Sequence, residues 1–144
     1  MRVTMILADA AQAVAGKLYV LGGGWSIIGP DPTPMAIALK IDVPWDEANR
    51  RHTLRLVLVD DDGQPVVVPT PTGERAVELS ADFEVGRPPG MKPGTDLDVV
   101  FGVNIGPMPL QTDSRYVWRC HIDDQTREEW QVRFTTRSAA TPRS

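Results

Sequence analysis

Apolar and polar residues alternate along most of the chain. This period of two places every second side chain on one face of a strand. Met35, Ile37, Leu39, Ile41 and Val43 alternate with Ala36, Ala38, Lys40 and Asp42. Leu54, Leu56 and Leu58 alternate with Thr53, Arg55 and Val57, and Val77, Leu79, Ala81, Phe83 and Val85 with Ala76, Glu78, Ser80, Asp82 and Glu84. The pattern continues through Leu97, Val99, Phe101, Val103 and Ile105, then Tyr116, Trp118, Cys120 and Ile122, and last Trp130, Val132 and Phe134. Segments with one apolar face each predict antiparallel sheets. Two more strands are expected over residues 3–8 and 17–28, and a short one over 66–68. Asp60, Asp61, Asp62 and Gly63 precede that last strand, and an Asp-Gly pair between apolar runs signals a hairpin.

Residues 9–16 read as a hairpin loop or a helical turn, because Ala11, Gln12 and Ala13 favour helix on propensity alone. One short helix is expected over 45–51, where Pro44 precedes Trp45 and Asp46 and Glu47 fill the first turn. The 13 prolines fall between the periodic segments and belong to loops and edges. About eight short strands and at most one helix predict an all-β fold, a two-sheet antiparallel β-sandwich. The last hairpin, 114–123 with 128–136, is immunoglobulin-like in architecture, although the paired cysteines of antibody domains are missing. The expected organisation is one domain over 1–136 and a polar tail over 137–144.

Length and composition support one well-filled core. A chain of 144 residues with 42% hydrophobic content can bury a core without metals or cross-links. A net charge of -4 and a pI near 5.1 speak against nucleic acid as the main partner. A single cysteine, Cys120, cannot form an internal disulfide, which points to a reducing, cytoplasmic setting. The apolar run from Val3 is broken by Asp9, too soon for a signal peptide, and no run reaches the ~18 residues of a membrane helix.

Several groupings suggest chemistry, and each meets a geometric objection. Gly22, Gly23 and Gly24 follow a strand, as in nucleotide-binding turns. A pyrophosphate site needs a helix to start there, and Pro30, Pro32 and Pro34 forbid one. Cys120 and His121 look like a nucleophile beside its base, yet neighbours on a strand point to opposite faces. Asp60, Asp61 and Asp62 could hold calcium with Asp123 and Asp124 if the two turns met at one end of the sandwich. No carboxylate pair is singled out, so neither a catalytic residue nor a cofactor or metal is expected.

Two surfaces remain as candidates for binding. Arg115, Arg119 and His121 share the exposed face of one strand, with Arg133 across from them and Arg55 close by, a row suited to carboxylate or phosphate unless it is a solvated face paired with acids. Trp25 in the glycine loop and Trp45 at the Pro44 corner would be contact points if exposed.

The block from Met1 to Gln12, the run from Gly16 to Trp25, and Pro44, Trp45, Asp46, Glu47, Ala48, Asn49 and Arg50 resemble an uncharacterised bacterial family, mainly actinobacterial, described as a domain of unknown function. The resemblance runs to about Thr136 and transfers no catalytic residue. The expected function is therefore a non-catalytic protein-interaction or assembly module, whose partner is another protein or a second copy, with no nucleic acid and no membrane. The alternatives are a small-ligand binder using the tryptophans or the arginines, and an enzyme of unrecognised type.

Overall fold

A computed structural model of the chain describes residues 1–139. Among these the strands, in chain order, are β1 (Arg2–Ala8), β2 (Ala10–Val14), β3 (Lys17–Leu21), β4 (Ile27–Ile28), β5 (Met35–Val43) and β6 (His52–Asp60). They are followed by β7 (Val67–Thr70), β8 (Gly73–Ala76), β9 (Glu78–Phe83), β10 (Leu97–Ile105), β11 (Arg115–Ile122) and β12 (Gln131–Thr136). Three strands form a sheet in the order β1-β5-β10, and five form another in the order β4-β12-β11-β6-β9. The pairs β2-β3 and β7-β8 stand as two-stranded hairpins. The fold is all-β, built of several sheets, none of them closed. No described helix is long and apolar enough to cross a membrane.

One apolar core is shared by the two larger sheets. Val3, Leu7, Ile37, Leu39, Ile41 and Val43 enter it from the three-stranded sheet, and Leu54, Leu56, Leu58, Trp118, Cys120, Ile122 and Phe134 from the five-stranded one. Apart from Val3 and Leu7, these are positions that the alternation assigns to the inside. Leu79 and Ala81 depart from it: β9 is the edge of its sheet, so its partner face is incomplete and both are exposed.

The segment over residues 9–16 is neither a helical turn nor an open loop. Residues 10–14 form β2, which pairs with β3 from Ala10 opposite Leu21 to Val14 opposite Lys17. Two residues make the turn, Ala15 at φ 50° and Gly16 at φ 75°. Positive φ at both centres gives the twist that a tight hairpin needs, and this outweighs the helix preference of the alanines. The stretch over 17–28 is likewise two strands, because Gly22 at φ 60° turns the chain out of β3.

The hairpin lies across the outer face of the three-stranded sheet. Ala8, Ala36 and Ala38 line that face and pack against Ala11 and Leu18. A Cβ on Gly102 would come within 2.8 Å of the Ala11 backbone, so only glycine permits the approach. Asn104 then fixes it: its Nδ2 donates to the Ala11 carbonyl at 2.7 Å, and its Oδ1 accepts from the Ala11 N–H at 3.1 Å.

The expected helix over 45–51 is a single 3-10 turn, Trp45–Glu47. Ala48 is extended and Asn49 sits at φ 59°, donating its N–H to the Val85 carbonyl, so the turn cannot propagate. The five-stranded sheet is not wholly antiparallel, since β4 runs parallel to β12. Arg137, expected in a polar tail, donates its N–H to the Ile28 carbonyl and accepts from the N–H of Asp113. Residues 140–144 of that tail lie outside the described residues.

Candidate functional site

The arginines come together on the outward face of the five-stranded sheet. Tyr116, Trp118, Cys120 and Ile122 of β11 point into the core, which leaves Arg115, Val117, Arg119 and His121 pointing out. The register sets Arg133 opposite Val117, Arg119 opposite Gln131 and Val57, and Arg55 opposite His121. Val57 is buried and Val117 half-buried, forming an apolar floor between the charged groups. Arg115 lies 3.6 Å from Asp61, and Arg55 lies 3.7 Å from Glu78. Among the described residues no carboxylate comes within 4.0 Å of Arg119 or Arg133. The guanidinium of Arg119 extends towards Gly63 in the turn after β6. Burial, then the charges of Arg55 and Arg119, lower the pKa of His121 below 6.5, against smaller opposing effects of Asp124 and Glu78.

The tryptophans do not join this face. Trp25 is half-buried and meets Phe134 edge-on at 6.2 Å, so it packs against the core. Trp45 is covered by Arg87, whose guanidinium lies 4.6 Å from the ring centroid and whose Nε donates to the Trp45 carbonyl. The six residues singled out in sequence therefore occupy three separate places.

Cys120 is fully buried, and burial pushes its thiol up to about 12, where it is neither ionised nor nucleophilic at neutral pH. His121 points to the other face, as strand geometry requires. The glycine run bends the chain back onto β1: Asp9 N–H donates to Leu21 and Gly22 carbonyls, and Gly24 N–H donates to Leu7. A Cβ on Gly22 would meet the Asp9 carboxylate and one on Gly23 the Val20 side chain, so these two glycines serve close packing, while Gly24 serves a φ of 92°.

The acidic turns do not meet. Tyr116 pairs with Asp60 at one end of β11 and Ile122 with Leu54 at the other, which puts Asp60, Asp61 and Asp62 far from Asp123 and Asp124. Among the described residues no group of three His, Cys, Asp or Glu side chains is arranged to hold a metal. Asp123 has a different task. Its Oδ2 lies 2.7 Å from Nδ1 of His52, its Oδ1 accepts from Thr53 N–H, and Nε2 of His52 donates to the Glu47 carbonyl. The fully buried imidazole also stacks on Phe83, so it pins the 45–47 turn and the β11 end to β6. Burial raises the Asp123 carboxyl, but the bonds from His52 and Thr53, with the charges of His52 and Arg50, outweigh it and leave its pKa below 3.8.

The sequence reading missed an exposed apolar surface on the covering hairpin. Tyr19 is 57% exposed, Val20 40% and Leu21 70%, with Ile6 and Val14 exposed nearby. Among the described residues β3 pairs with β2 on one side and with no other strand. The signal was the run Leu18, Tyr19, Val20, Leu21, apolar on both faces of a segment expected to bury one.

The chain belongs to a family of unknown function, DUF6941, which it matches over residues 3–135. No curated protein and no solved structure matches it.

Proposed function

We propose that this chain is a non-catalytic assembly module that joins a second copy of itself through β3. The carrying observation is the unpaired strand edge whose side chains Tyr19, Val20 and Leu21 are apolar and exposed. Soluble proteins normally blunt such an edge with charges, proline, bulges or a covering segment. β3 has one charge, Lys17, at its end. In antiparallel pairing centred on Tyr19, Lys17 faces Leu21 of the second copy and Leu18 faces Val20, so no like charges oppose each other. The hairpin is held rigidly by Gly102 and Asn104, which limits the ordering cost of association.

The fold is read as an immunoglobulin-like two-sheet sandwich. The orders β1-β5-β10 and β12-β11-β6-β9 correspond to the A-B-E and G-F-C-C′ strands of that architecture. Near the start of β11, the Tyr116 hydroxyl accepts from the Gln111 N–H at 3.0 Å, the arrangement of a tyrosine corner. Trp118 stands two residues on, where antibody domains place a cysteine. The free, buried Cys120 suits a cytoplasmic location.

Size-exclusion chromatography with light scattering tests the assembly reading. The wild type is expected to elute at the mass of a dimer, and Leu21→Lys or Tyr19→Lys at that of a monomer with an unchanged circular dichroism spectrum. A wild type that stays monomeric at every concentration overturns self-association, and a Leu21→Lys dimer overturns the role of β3.

A further inference from the structure

We propose that the outward face of the five-stranded sheet binds a short, extended acidic segment of a protein partner through Arg133, Arg119 and Arg55. This surface is separate from β3, so the inference stands or falls independently of self-association.

The register arranges the three arginines in a diagonal row. Arg133 on β12 is level with Val117, Arg119 is two residues further along β11, and Arg55 on β6 is level with His121, two residues further again. Each step crosses one strand and advances two residues, a separation of about 7–8 Å between diagonal neighbours. An extended chain repeats the direction of its side chains every two residues, about 6.8 Å. Carboxylates at alternate positions of a stretch of about five residues therefore match the three guanidinium groups, each of which can bind one in fork geometry. Arg119 and Arg133, with no carboxylate within 4.0 Å among the described residues, are available for this. Arg55 would exchange its contact with Glu78, 3.7 Å away.

Two features favour a peptide over a nucleic acid. Half-buried Val117 gives the row an apolar floor against which the methylene groups of the acidic side chains that face the sheet can rest. Asp60, Asp61, Asp62 and Asp113 line the surface around Arg115, with Asp60 and Asp61 also bordering Arg119 and Arg133, while Glu78 and Asp124 act on His121 at the other end. Those carboxylates repel a polyphosphate that runs past the row more than a segment of about five residues, which ends at Arg55 beside Glu78.

Fluorescence anisotropy with a labelled, end-capped Glu-Ser-Glu-Ser-Glu peptide provides the test. Saturable binding is expected to weaken with added salt, and to weaken about tenfold or more in the Arg119→Ala/Arg133→Ala double variant. The Gln-Ser-Gln-Ser-Gln peptide is expected not to bind. Amide shift mapping on the wild-type protein supplies a readout independent of any variant, with changes expected at Arg119, Gln131 and Arg133. Absent binding, shifts confined elsewhere, or equal binding by the double variant overturns the proposal. Tighter binding of a short oligothymidylate than of the peptide also overturns it, assigning the face to nucleic acid.

Discussion

The outer face of the three-stranded sheet presents Ala36, Ala38, Gly102 and Asn104, and a hairpin lies on it; the outer face of the five-stranded sheet presents Arg55, Arg119, His121 and Arg133, and turns them outwards. Both sheets bury the opposite face in the same core. Side-chain size sets the two outer faces apart. Alanine and glycine leave room for a second backbone at close range, and Asn104 satisfies the Ala11 backbone groups that the approach would otherwise strand. Arginine fills the space above its strand and keeps its charge hydrated. The covered face thus gives its surface to stability and leaves apolar residues exposed on the outer side of β3. The open face keeps its charged side chains turned to solvent.

The comparison can be broken most severely at Gly102. Gly102→Val forces a Cβ into the Ala11 backbone and is expected to cost about 3 kcal/mol, measured by urea denaturation. Asn104→Ala comes next, at about 2 kcal/mol by the same measurement, because it removes a donor and an acceptor at once. On the open face, Arg119→Ala and Arg133→Ala are each expected to change stability by less than about 0.5 kcal/mol. A loss there as large as at Asn104 would mean that the arginines hold the sheet together and are not free for partners.

The smallest effect concerns His121. Its folded-state pKa lies below 6.5, so the unfolded chain binds more protons in that interval and stability rises with pH across it. Arg119→Ala removes one of the charges responsible. The His121 titration followed by NMR is then expected to move up towards 6.5, and the rise of stability with pH to flatten.

The alternation at Met35, Ile37, Leu39, Ile41 and Val43, and at Tyr116, Trp118, Cys120 and Ile122, made the core legible, since a period of two depends only on which face is buried. The outward arginines were legible by the same logic, and the register brings them together. The hairpin β2-β3 was not legible. Its alanines favour helix locally, and the feature that selects a strand is a non-local fit to Gly102 and Asn104, some 90 residues away in sequence. The ambiguity of Trp25 and Trp45 had a similar cause: their covers, Phe134 and Arg87, come from distant segments. The His52–Asp123 pin joins residues 71 apart, beyond any local pattern.

The central claim is that β3 is the edge through which copies associate. Hydrogen–deuterium exchange across a range of protein concentrations tests it most directly. Protection of the β3 amides, residues 17–21, is expected to rise with concentration while the core strands β5 and β11 stay unchanged. Exchange in β3 that is fast at every concentration, while another edge such as β9 or β10 gains protection, would contradict the account.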